Sequence, residues 1–116
     1  NNRVQKFSSD GTYMAEIGSG LLSLPAMLSC DATGTLYVVD GGHYRVVGFA
    51  STGELTTSWG SKGFGNGEFN NPDGIAVSVS GAIYVGDFLN NNIQEFAYLP
   101  TPVRPATWGG IKALYR

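Results

Sequence analysis

Histidine and cysteine each occur once in this 116-residue sequence, as His43 and Cys30. A lone cysteine excludes an internal disulfide framework, and its place in an apolar stretch predicts a small buried side chain. A lone histidine leaves zinc or triad chemistry without the clustered ligands and bases it requires. No catalytic residue, metal ligand or cofactor is therefore expected in this chain. Charge is scarce too: 14% charged residues and a net charge of -2 give no general attraction to phosphate backbones or anionic membranes, which argues against nucleic acid as a partner. No apolar run approaches the roughly eighteen residues that span a bilayer, and no charged-then-apolar leader opens the chain. The first residues are Asn1-Asn2-Arg3, without an initiator methionine, so the missing leader excludes nothing. The compartment stays open, with the outside of the cell or its surface as the expectation.

Glycine is what the chain has in quantity, 17 residues beside 42% hydrophobic ones. Glycine disfavours helix by about 1 kcal/mol per residue and marks turns, so a packed protein of short strands is expected. The chain also repeats. At a register of 47, Pro25 meets Pro72, Gly34 meets Gly81, Tyr37 meets Tyr84, Val38 meets Val85, Asp40 meets Asp87 and Phe49 meets Phe96. At a register of 42, Arg3 meets Arg45, Val4 meets Val46, Phe7 meets Phe49, Gly11 meets Gly53 and Gly18 meets Gly60. The five-residue difference lies in Ser61 to Asn71, which is longer and richer in glycine than the link Ser19 to Leu24. Periods of this size belong to propeller blades and solenoids.

Apolar runs of three to five residues, bounded by Gly, Asn, Asp and Ser, read as hairpins: Ile75-Ala76-Val77, then Ile83-Tyr84-Val85, then Ile93 to Phe96. A fourth strand is expected at Leu55 to Trp59, matched by Tyr13 to Ile17. The fold class is thus all-β, with blades of four antiparallel strands. Nine strands are expected: the third and fourth of one blade, four of the next and three of the last.

Asn71-Pro72-Asp73-Gly74-Ile75-Ala76-Val77, Gly81 to Asp87 and Asn90 to Phe96 resemble, in order, the signature blocks of the NHL-repeat β-propeller family. Pro25 to Phe49 is a weaker copy, with Met27-Leu28 and His43-Tyr44 departing from the pattern. The resemblance covers residues 1–98 and implies about two blades, a third of a six-bladed ring. The chain is then either a fragment of a longer propeller or a protomer that self-associates. The resemblance implies a non-catalytic scaffold that presents loops to a protein, peptide or glycan. It also leaves two alternatives. One is a propeller lyase or hydrolase, since similar lyases use metal-binding histidines near the central channel; here other blades would complete the site. The other is an RNA-binding module, for which seven Lys and Arg make a basic face hard to build.

His43, Tyr44 and Arg45, in a turn on a rigid scaffold, are the first contact candidates. Asp40 and Asp87, at the same repeat position, are expected to be structural acceptors for turn amides or for arginine. Gly60 to Phe69 superficially resembles a phosphate loop, but no helix pattern follows it; Phe64 and Phe69 are expected to pack between blades. Residues 99–105 carry three prolines and read as a linker. Residues 106–116 form a tail, in which Thr107 could cap a short helix that Gly109-Gly110 would leave unstable on its own. Either Trp108, Ile111 and Tyr115 on one face dock a partner, or the tail is solvated or folds back on its own blade.

Overall fold

Hairpins with turns of four or five residues build the sheets, which the computed structural model describes for residues 1–98 and 111–114. The strands are β1 (Val4–Phe7), β2 (Tyr13–Ile17), β3 (Pro25–Cys30), β4 (Leu36–Asp40), β5 (Arg45–Phe49), β6 (Leu55–Trp59), β7 (Pro72–Val77), β8 (Ile83–Asp87), β9 (Asn92–Tyr98) and β10 (Ile111–Leu114). They form a pair β1-β2 and two four-stranded antiparallel sheets, β3-β4-β5-β6 and β7-β8-β9-β10. A single 3₁₀ turn, Gly41–His43, is the only helical element among the described residues. The chain is all-β, as the repeat pattern predicts, and its sheets are blades.

Both four-stranded sheets begin on a proline, which is tolerated at the first position of a strand because no ladder donor is needed there. The tight turns repeat as well. Gly11, Gly34, Gly53 and Gly81 all take φ near +90° and donate their N–H to the carbonyl three residues back, the left-handed step that closes a hairpin without a Cβ clash.

Side-chain alternation decides which neighbour each strand packs against. Leu36 and Val38 of β4 join Val47 and Phe49 of β5, facing Val4 and Ile17 of the preceding sheet and Leu22 of the link. Val46, the residue before Val47 in β5, points the other way, to Trp59, Phe69, Ile83, Val85 and Phe96. The two clusters are the junctions between successive sheets. Trp59 and Phe96 have ring centroids 5.4 Å apart, and Phe69 lies 6.0 Å from Phe96. Burying each such side chain is worth about 1.5–3 kcal/mol, so the junctions hold the sheets together.

Four expectations need correction. The strands number ten among the described residues, because Ile111–Leu114 pairs antiparallel with β9, with Ile111 opposite Tyr98. That segment is a strand rather than part of a helix: the β9 edge supplies ladder partners, while Gly109-Gly110 weakens any helix started at Thr107. Phe69 is fully buried but Phe64 is 80% exposed, since the inserted loop carries it away from the junction. Cys30, at the end of β3, is exposed rather than buried. The linker 99–105 and the tail residues Trp108 and Tyr115 lie outside the described residues.

Candidate functional site

The turns that follow β4 and β8 lie at the same end of the molecule as the links between sheets, and a left-handed residue recurs there. Asn2, Tyr44 and Asn91, equivalent in the two registers, have φ of 51°, 56° and 54°. Asparagine tolerates that conformation, whereas for a tyrosine it costs about 1–2 kcal/mol unless the surroundings compensate. Tyr44 is compensated on both sides. Its half-buried ring packs against the second junction, and the Lys62 ammonium lies 5.2 Å above its centroid.

Asp40 anchors this turn. Its carboxylate, completely buried, accepts the Ser23 N–H at 2.7 Å on one oxygen. The other oxygen takes Arg45 Nε at 2.7 Å and faces His43 Nδ1 at 2.9 Å. Arg45 also donates to the Leu21 carbonyl at 2.9 Å, so its guanidinium ties the turn to the preceding link. The close packing is completed by Gly42, whose N–H bonds the Ser23 carbonyl at 2.8 Å and where a Cβ would strike the Ser23 side chain. The His43 side chain, half exposed, is presented from this frame.

Asp87 is the counterpart. It accepts the N–H groups of Asn70 at 2.7 Å, Asn71 at 2.9 Å and Asn90 at 3.2 Å, and the Asn90 side-chain amide at 3.2 Å. That amide also donates to the Gly63 carbonyl at 2.9 Å, joining the turn to the inserted loop. A shallow groove of about 550 Å³ opens beside it, lined by Asp73, Phe88, Asn91, Asn92 and Ile93. Ile93 is 66% exposed there, although Val46, its equivalent, is fully buried in the junction.

At the opposite end, burial works to raise the pKa of Asp31, but the Thr33 hydroxyl and the amides of Thr35, Thr33 and Gly34 together hold it below the ordinary value. Burial raises Tyr37, with the nearby Asp31 carboxylate adding to the shift. Neither group faces the His43 turn.

The structure sets His43 and Arg45 on Asp40, while Tyr44 between them packs against the second junction. Ile111 stands in β10, paired to β9 and away from that turn in the sheet order. Among the described residues no group of three or more His, Cys, Asp or Glu is placed to hold a metal ion. Lys62 and Gln94 were given no role from sequence, and Phe64 was expected to pack between blades. The available signal was Gln94, a polar residue at the repeat position that Val47 fills with a core side chain.

Comparison with known proteins places these features in context. The NHL repeat model matches residues 69–96. A probable peptidyl-alpha-hydroxyglycine alpha-amidating lyase of Caenorhabditis elegans is 31% identical over 101 residues, covering 83% of this chain and 29% of that protein. NHL repeat-containing protein 3 of Mus musculus is 30% identical over 106 residues, covering 80% of this chain and 30% of that protein. Its Homo sapiens counterpart is 29% identical over the same length and share of this chain. The chain thus spans about 30% of the length of these curated relatives.

Proposed function

We propose that this chain, which belongs to the NHL-repeat family of β-propellers, is a non-catalytic interaction module that presents the His43–Tyr44–Arg45 turn to a protein or peptide. The observation that carries the reading is the anchoring of that turn. A fully buried carboxylate fixes Arg45 and His43 while half of the imidazole stays in solvent. A contact surface that is already rigid loses little entropy on binding. The module works as part of a larger propeller: Ile93 and Tyr84 hold open a face whose equivalents, Val46 and Tyr37, pack against the next sheet. A further blade, or another copy of the chain, closes that face.

Panning a random dodecapeptide phage library against the chain, and against a His43→Ala/Tyr44→Ala double variant with retained folding, tests the reading. Peptides that bind the parent and lose the variant are the expected result. Peptides that bind both alike would overturn it.

A second reading has its own support, the 31% identity to a protein named as a lyase. With Nδ1 on the Asp40 carboxylate, His43 has Nε2 left for a ligand, and a carboxylate behind an imidazole is how metal-binding histidines are oriented. His43 stands as a single ligand among the described residues, so the fit is incomplete within this chain and no reaction step follows from it. Zinc titration by calorimetry separates the readings. Uptake that disappears in His43→Ala favours the lyase reading over the scaffold.

A further inference from the structure

We infer that the inserted loop, residues 61–71, is a second binding element, with Phe64 as an apolar anchor and Lys62 as its cation, suited to an extended acidic peptide segment of a partner protein. The inference extends the interaction reading above and rests on this end of the molecule being a contact surface.

The first support is the cost the fold accepts to shape the loop. Val47 fills its repeat position with apolar core, yet the equivalent in the last blade is Gln94, also buried. A buried amide is unfavourable unless bonded, and this one is bonded entirely to the loop. Gln94 Oε1 accepts the Gly67 N–H at 2.7 Å, and Nε2 donates to the Glu68 carbonyl at 2.9 Å. Asn90 adds a third tie through the Gly63 carbonyl. Within the loop, Phe69 N–H bonds the Ser61 carbonyl at 2.8 Å and Gly63 N–H bonds the Phe69 carbonyl at 2.9 Å. An apolar core position has been given over to holding a surface loop in one conformation.

The second support is what that conformation displays. Phe64, flanked by Gly63 and Gly65, is 80% exposed at the tip. A rigid, exposed aromatic offers large apolar area at low ordering cost, the usual profile of an interface anchor. The charges on the loop are segregated. Glu68 turns back, its carboxylate accepting the Gly65 N–H at 2.9 Å, while Lys62 is exposed with its ammonium over Tyr44. An incoming chain therefore meets an exposed cation and an exposed aromatic ring two residues apart on one loop, with the loop's anion engaged inward. A peptide that offers an apolar side chain flanked by carboxylates matches both.

The probes are two fluorescent twelve-residue peptide pools. Each has a central Leu, Phe or Trp, flanked by Asp and Glu in one pool and by Asn and Gln in the other. Binding to the full chain is followed by anisotropy. The acidic pool is expected to bind at least about tenfold more tightly, and Phe64→Ser to reduce that binding by about tenfold at unchanged melting temperature. Lys62→Gln is expected to weaken it about threefold and to flatten its salt dependence. Equal binding of the two pools, or retention by Phe64→Ser, overturns the inference. So does Phe64-dependent co-sedimentation with vesicles containing phosphatidylserine, or Phe64-dependent self-association, when neither pool binds. If Phe64→Ser binds normally while His43→Ala/Tyr44→Ala does not, the loop inference fails and the interaction reading stands. Loss in neither variant removes both.

Discussion

Asp40 and Asp87 occupy one repeat position, are both buried, and are satisfied by different chemistry. Asp40 takes one backbone amide and two side chains that carry or can carry positive charge, Arg45 and His43. Asp87 takes three backbone amides and an asparagine, with no cation among these donors. The same backbone frame thus accommodates an anion in two ways. Amides pointing at a carboxylate stabilise it locally and fix the turn, whereas a guanidinium brings a charge and couples the turn to whatever else it touches, here the Leu21 carbonyl. The amide version is a closed structural unit. The arginine version leaves an imidazole and a cation at the surface, and so it is the half of the pair on which the proposed partner contact rests.

The largest effect is expected from Asp87→Ala, which strands three backbone N–H groups and breaks the bridge to Asn90. A stranded donor costs about 1–3 kcal/mol when fully buried and less at these partly buried amides, and relief of the buried charge offsets part of it, so a loss of about 2–4 kcal/mol in total is expected in denaturant unfolding. A loss under 1 kcal/mol would mean that solvent satisfies those amides and that the unit is not closed. Next is Arg45→Met, which keeps the packed stem and removes the charge, leaving Asp40 buried with Ser23 N–H and His43. About 1–3 kcal/mol is expected. The double variant Asp40→Asn/Arg45→Met should then lose less than the sum of its single variants, because the charge and its counter-charge leave together. Strict additivity would show that the pair is not energetically coupled and would erase the distinction from Asp87.

The repeat was legible because each blade needs the same things at the same places: proline at the first strand, glycine at the left-handed turn position, an aspartate at the end of the second strand. Strand placement from Val4 to Phe96 followed from those residues and from the alternation of Leu36, Val38, Val47 and Phe49. Three features were hidden for physical reasons. The tenth strand follows a connection running from residue 98 to residue 111, against 49 to 55 between β5 and β6, so no period predicts it. Phe64 looked like junction packing because hydrophobicity alone does not report exposure in an insertion without a repeat equivalent. The left-handed Tyr44 was visible only as a departure from paired asparagines. Its meaning needed the Lys62 ammonium and the second junction, both distant in sequence.

The smallest expected change is the most discriminating, His43→Asn, which writes the Asn90 chemistry into the first turn. In the second turn the Asn90 amide is satisfied twice, by Asp87 and by the Gly63 carbonyl. The first turn has only half of this to offer. The link Ser19 to Leu24 lacks the inserted residues that bring Gly63 into range, so the new amide can replace the His43 bond to Asp40 but finds no equivalent second acceptor. The imidazole it replaces is half exposed, and substitutions at such positions stay within about 0.5 kcal/mol. Stability measured by urea unfolding should therefore barely move, with Arg45 still pairing Asp40. Partner binding should fall, because the ring that leaves is the part presented to solvent. Retained peptide binding at unchanged stability would mean that His43 is only one way of filling a turn that asparagine fills equally well. A loss of more than about 1 kcal/mol would make the imidazole a structural donor to Asp40, and the contrast between the two carboxylates would then be one of architecture rather than of recognition.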